Sequence, residues 1–323
     1  MRRRRYAAAA ALVVSFALGG CTEDGPADAP TPVVEPSWPA TDAPLAESGL
    51  VWWADGELHL GDGSTVPVGG PDREPGDLVV GGDRVWVRGW VLPADLPDSG
   101  ADDLGPRDAL HLVDASGEVD DTDVEVASLA ASPDGRYVAL IDLTSGEADR
   151  YGTPQAATVV VDTRTGEEVV RSTDGMGDPA TDDFAALYPD VELEVRGFAD
   201  GVFWIDTAEG TRTVDPADGR VAAVDPGDEP EDAPWQETVA PAPNGVDPAR
   251  WLPLQRLADG TVVAVVADAS GSGGAGVLAT CAAGAEQCTP VPESAGRVVR
   301  LPAGSAWDAV VDLGEPRWDA APR

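Results

Sequence analysis

From Gly49 onward, short apolar runs alternate with turns bearing Gly or Asp. The clearest cases are "WADGELHL" around Asp55, "GGDRVWVRGW" around Asp83, "FADGVFWI" around Asp200 and "LADGTVVAVV" around Asp259. "ASPDGRYVAL" carries Pro133, Asp134 and Gly135 into the same kind of apolar run. Gly accepts positive φ and Asp bonds nearby backbone, so these pairs predict tight turns. The residues that follow are β-branched or aromatic and predict strands. Extended helical periodicity is missing, which makes the chain all-β.

A second hairpin follows most of the first ones. "LHLVDASGEV" (Leu110 to Val119), "TVVVDTRTGEEVV" (Thr158 to Val170) and "TRTVDPADGRVAAV" (Thr211 to Val224) share one shape: strand, Asp, polar turn with Gly, strand. Two hairpins make a four-stranded unit, and such units repeated in one chain predict a β-propeller. Packing between neighbouring sheets buries both faces of each, which explains runs such as "VVAVVA" without polar alternation. Most spacings between the first-hairpin aspartates exceed the roughly 40–45 residues of a WD40 repeat, so the loops must be extended.

"SPDGRYVAL" followed by "VVVDTRTGEEV" resembles a blade of the TolB-like or WD40-like β-propeller families. In those families an S-P-D-G turn joins the first two strands and a D-x-x-x-G turn joins the last two. The matching blade runs from Ser128 to Arg171. The resemblance implies four-stranded blades and interaction work. At the C-terminal end, "RVVRLPAGSAWDAVVDLG" offers strands that complete the blade begun by "SGLVWWADGELHLGDGSTVPV". Ring closure by N- and C-terminal strands favours five blades, and length also suits six.

The N-terminus changes the picture. Arg2 to Arg5 form a basic n-region, and Ala7 to Gly20 an apolar run shorter than the about 20 residues of a membrane-spanning helix. The ending Leu18-Gly19-Gly20-Cys21 resembles the lipobox of bacterial lipoproteins. That resemblance implies cleavage before Cys21, diacylglyceryl transfer to its thiol and palmitate-type acylation. Two or more chains anchor stably where one does not. The expected organisation is a signal peptide over 1–20 and a lipidated, disordered Pro/Ala/acidic tether over 21–48. A propeller over 49–314 and a tail over 315–323 follow. The chain is expected at the cell membrane, on its extracytoplasmic face.

There are 21 basic and 58 acidic residues, for a net charge of −37. Such a field argues against nucleic acid and favours cationic partners or simple solubility. The chain lacks lysine and has a single asparagine, Asn244, a bias typical of very GC-rich genomes such as those of actinobacteria. Outside the cytoplasm disulfides persist, so Cys281 and Cys288 in "ATCAAGAEQCTP" are expected to pair.

Candidate chemistry is sparse. His59 and His111, the two histidines, sit in identical "LHL" tripeptides, which points to a shared structural role and leaves no multi-His metal site. No catalytic set, metal site or cofactor motif emerges. Trp90, Trp235 and Trp251 lie near loops and are candidate ligand contacts. The function expected is a non-catalytic binding or scaffold module for an envelope protein, peptide or glycan. The alternative is a cell-envelope glycoside hydrolase using carboxylates at the propeller cavity.

Overall fold

The first hairpins fold as their Asp-Gly pairs dictate. β1 (Trp52–Ala54) and β2 (Glu57–His59) are joined by Asp55 and Gly56 alone, at φ 53° and 86°. Positive φ at both central residues is the type I′ turn that matches strand twist. A computed structural model describes residues 38–42, 44–45, 49–70, 73–91, 108–225, 227, 242–244, 246–257, 259–267, 275–282, 285, 287–302, 310–316 and 318.

After β3 (Thr65–Pro67) come β4 (Glu74–Gly81), β5 (Arg84–Val91), β6 (Ala109–Val113) and the long β7 (Val119–Ala131). β8 (Tyr137–Asp142), β9 (Ala157–Asp162) and β10 (Glu167–Ser172) follow, then a one-turn helix, α1 (Phe184–Leu187). Two further series are β11 (Glu194–Ala199), β12 (Val202–Thr207), β13 (Gly210–Asp215), β14 (Arg220–Ala223) and β15 (Trp251–Arg256), β16 (Val262–Ala267), β17 (Gly276–Cys281), β18 (Thr289–Pro290). The last strands are β19 (Val298–Arg300) and β20 (Val310–Asp312). The all-β expectation holds.

Among the described residues the strands form four antiparallel sheets. The first has the order β20-β19-β1-β2-β3, so strands from the two ends of the domain share it, with Trp53 opposite Arg300. The second runs β10-β9-β8-β7-β6-β5-β4. The third is β11 to β14 and the fourth β15 to β18, each in sequence order.

The seven-stranded sheet departs from the sequence expectation of two separate four-stranded units. β7 pairs with β6 over Val119–Glu125 and with β8 over Val126–Ala131, so one strand serves both. The segment "VDDTDVEVASLAA" contains no Gly or Pro to break it. Register shifts on both sides, at Ala109/His111 and Val126/Leu129, bend it instead.

The core lies between sheets. Val79, Trp86, Leu110 and Leu112 of β4–β6 pack against Val138, Leu140, Val159 and Val161 of β8 and β9, so the long sheet folds back on itself. Val51, Trp53, Leu58 and Val66 of the first sheet pack on Leu78, Val85, Val87 and Trp90. Ile141, Val160 and Val170 pack on Val195, Phe203, Ile205 and Val214 of the third sheet. Leu254, Val263, Val265 and Leu278 of the fourth pack on Trp52, Val299 and Leu301 of the first. All six residues of β9 are buried because both its faces have a neighbour.

Residues 38–42 and 44–45, which precede the first strand, lie against the sheets. Trp38 is only 6% exposed and joins the core between β5 and β9. An indole this large is not left in water when a seam between sheets is within reach.

Candidate functional site

Several of the hairpin turns bond their own acids. In "ASPDGRYVAL", Ser132 Oγ donates to Asp134 Oδ1 (2.7 Å), and the Arg136 amide donates to the same oxygen (3.1 Å). The Tyr137 amide donates to Ser132 Oγ (2.9 Å). Ser132 is buried and Gly135 has φ 65°. Ser132 and Asp134 thus hold a turn between β7 and β8. Asp200 and Gly201 repeat the Asp55–Gly56 geometry, with φ 52° and 86°. Asp83 shares its two-residue turn with Gly82 at φ 61°. Asp259 accepts from the Thr261 amide (2.8 Å), which with the Thr261 hydroxyl holds its carboxyl below the usual range. Asp62 and Asp114 are lowered in the same way, chiefly by the hydroxyls of Ser64 and Ser116.

A different set of charges gathers where β7 lies against β4 and β11. Arg300 of β19 donates to the carbonyls of Pro75 and Gly76 (2.8 Å each) and to Glu74 (3.3 Å). Arg88 of β5 pairs with Asp77 of β4 and donates to the Ala127 carbonyl of β7. The Val195 amide of β11 donates to Ser128 Oγ of β7 (3.1 Å). Glu194 stands directly opposite Asp206 across β11 and β12. Asp206 is held by Arg196 and by the Thr211 hydroxyl. Burial, then the charges of Glu192, Asp206 and Asp77, push the Glu194 carboxyl above its ordinary range, with Arg196 opposing. This set links three sheets.

At one end of the second sheet, the segments 143–156 and 173–193 pack into a platform. Phe184 and Met176 are fully buried. Asp149 Oδ2 accepts from the Phe184 amide (2.9 Å), while Oδ1 accepts from Tyr151 and Thr153. Burial pushes the Asp149 carboxyl up, but these amides outweigh it and hold it below the usual range. Gln155 donates to the Gly177 carbonyl, and the Tyr188 hydroxyl links the Ala156 amide to the Met176 carbonyl. The acidic stretch "DGMGDPATDDFAALYPD" is therefore a packed part of the domain, which its composition alone hides. Tyr151 projects from the platform, 62% exposed, under the guanidinium of Arg150.

The other sequence candidates fall as follows. Trp90 is 4% exposed and packed between the first and second sheets. Trp251 is half-buried at the start of β15. Trp235 and Cys21 lie outside the described residues. Cys281 and Cys288 are bonded, tying β17 to the approach to β18. Each "LHL" histidine meets a tryptophan: His59 stacks on Trp52 at 3.8 Å, and His111 lies 5.4 Å from Trp90 with Nδ1 on Asp121. Burial, then Arg297, lowers the His59 pKa. Among the described residues, no group of three or more His, Cys, Asp or Glu is placed to hold a metal.

No family profile and no curated protein matches the sequence. Among solved structures the chain is similar to the hydrazine synthase of Kuenenia stuttgartiensis, at 11% identity and a TM-score of 0.27, over 72% of this chain and 56% of that one. It is similar to a TolB from Agrobacterium tumefaciens at 13% identity and a TM-score of 0.29, over 86% and 83%. For the dihydro-heme d1 dehydrogenase NirN the figures are 15% and 0.24, over 80% and 55%. The chain spans just over half the length of the first and third of these.

Proposed function

We propose that the chain is a lipid-anchored, extracytoplasmic binding or scaffold module built on a five-bladed β-propeller. The pairing of β1 with β19 supports the ring, because it lets the C-terminal strands complete the sheet that the N-terminal strands begin. Dividing the long sheet at β7 gives the second and third blades. The basic n-region, the short apolar run and Cys21 support the anchor.

The observation that carries the binding role is the platform formed by 143–156 and 173–193. It is fixed by buried Phe184 and Met176 and by the bonds of Asp149 and Tyr188. Ordered loops on a rigid sheet scaffold are where recognition is concentrated. Asp62, Asp114, Asp134 and Asp259 accept from backbone amides, which favours recognition over carboxylate chemistry at those positions.

Two measurements test this. Cys21→Ala should move the protein from the membrane to the soluble fraction; retention in the membrane would contradict the anchor. Detergent-solubilised full-length protein should capture an envelope component. That capture should fall at least tenfold on Asp149→Ala and survive Ser132→Ala. Equal capture by both variants would contradict the platform's role.

A further inference from the structure

The seam between the second blade and the third is covered from one end by the chain segment that precedes β1. Trp38 stacks on Trp86 of β5, ring centres 5.2 Å apart, and its indole N–H donates to Glu168 Oε1 of β10 (2.8 Å). The Thr41 amide donates to the Thr163 carbonyl (2.9 Å), and the Leu45 amide to the Gly82 carbonyl (2.7 Å). Thr41 is buried with Trp38.

The seat is shaped for this segment. A Cβ on Gly82 would lie 2.8 Å from the Thr41 methyl, and one on Gly166 would lie 2.5 Å from the Trp38 carbonyl oxygen. Both glycines have positive φ, 61° and 69°. The seat continues into the neighbouring turns. The Gly82 amide donates to the Gly135 carbonyl and the Thr163 amide to the Arg136 carbonyl (2.8 Å each). Glu168 also accepts from Nε and Nη2 of Arg171, whose Nη1 donates to Asp142 (3.0 Å). One indole is thereby wired to the outer edge of the third blade as well as to the second.

We propose that residues 38–45 are a clasp that holds these two blades together at their turn end. Three turns meet there: β4–β5 at Gly82, β7–β8 at Gly135 and β9–β10 at Thr163. The segments 143–156 and 173–193 leave from the opposite strand ends, next to Asp142, Ala157 and Ser172. A chain arriving at Trp38 therefore arrives at the turn end and leaves the platform unobstructed. The clasp itself does not depend on the lipid anchor. A second consequence does: with Trp38 seated, only residues 22–37 separate Cys21 from the folded domain. The span from Cys21 to Trp38 is therefore at most about 60 Å.

Hydrogen exchange of the full-length protein tests the clasp. In Trp38→Ala, amides of β5 and β10 should exchange at least tenfold faster, while those of β15 to β17 stay unchanged. Unchanged exchange in β5 and β10, or equal acceleration in every sheet, would overturn it. Trp38→Phe keeps a stacking ring but loses the bond to Glu168. It should accelerate β10 several-fold more than β5, and it decides the question if Trp38→Ala does not fold. Unaltered β10 exchange in Trp38→Phe would then overturn the clasp. Because no lipid is read out, failure here is separate from failure of the Cys21→Ala fractionation.

Discussion

Arg300 of β19 lies directly opposite Trp53 of β1, its guanidinium carbon 5.8 Å from the centre of the indole. The same guanidinium satisfies the carbonyls of Pro75 and Gly76 in the next sheet. One side chain thus joins strands from both ends of the domain to β4. Arg300→Ala removes the donor that both carbonyls share through Nη1. The expected loss is about 1–3 kcal/mol of unfolding free energy, read by urea titration. Arg300→Lys should recover only part, since one ammonium cannot reproduce the guanidinium's fork.

Glu194 gives a pH-dependent prediction. Burial, then the charges of Glu192 and of Asp206 opposite it, push its carboxyl above the ordinary glutamate range. A carboxyl raised in the folded state favours folding at low pH, and that contribution is lost as pH rises through the folded value. Glu194→Gln should therefore stabilise the protein at neutral pH by about 0.2–1 kcal/mol, the scale of like charges directly opposed across strands. The gain should vanish below the ordinary glutamate range. Thermal melts at neutral and acid pH provide the comparison.

His59 acts with the opposite sign. Burial against Trp52 lowers its pKa, so the unfolded chain binds the proton more readily. Stability should fall as pH drops below about 6.5, the ordinary histidine value, until the folded form also protonates. His59→Phe keeps a ring for Trp52 to stack on and should flatten this slope. A melt series from pH 7.5 down to 5, roughly bracketing that histidine value, shows whether it does.

The Cys281–Cys288 bond closes a short loop, with a sequence separation of 7. In the chain-entropy view a loop of this size contributes about 2.5 kcal/mol. Reduction, or Cys288→Ser, should cost no more than that and loosen β17–β18 before any other hairpin. Thiol labelling of the denatured, unreduced protein should find both cysteines blocked.

Much of the fold is legible in the sequence because its strongest signals are local. Asp55-Gly56 and Asp200-Gly201 specify their turns within two residues, and "SPDG" carries its own Ser132–Asp134 bond. The hairpins at "LHLVDASGEV" and "TVVVDTRTGEEVV" fall where their turn residues place them. What sequence reading misses is long-range. Trp38 sits in a Pro/Ala/acidic stretch, and only its partners Trp86 and Glu168 reveal that it is core. Asp149 and Tyr188 look like ordinary polar loop residues until the fold brings them to Phe184 and Ala156. The bend in β7 has no turn residue to announce it. Glu194 carries a faint signal, an acid within the alternating "VELEVRGF", but its partner Asp206 lies on the next strand.

The most direct measurement is site-specific photo-crosslinking of the full-length protein in its own membrane. The cross-linking residue replaces Tyr151 on the platform or, separately, Asp134 at the turn end, both of which are exposed. The expected result is one discrete adduct from position 151 that position 134 does not give. The same adduct from both positions, or an adduct from position 134 alone, would contradict a binding module that works through its platform.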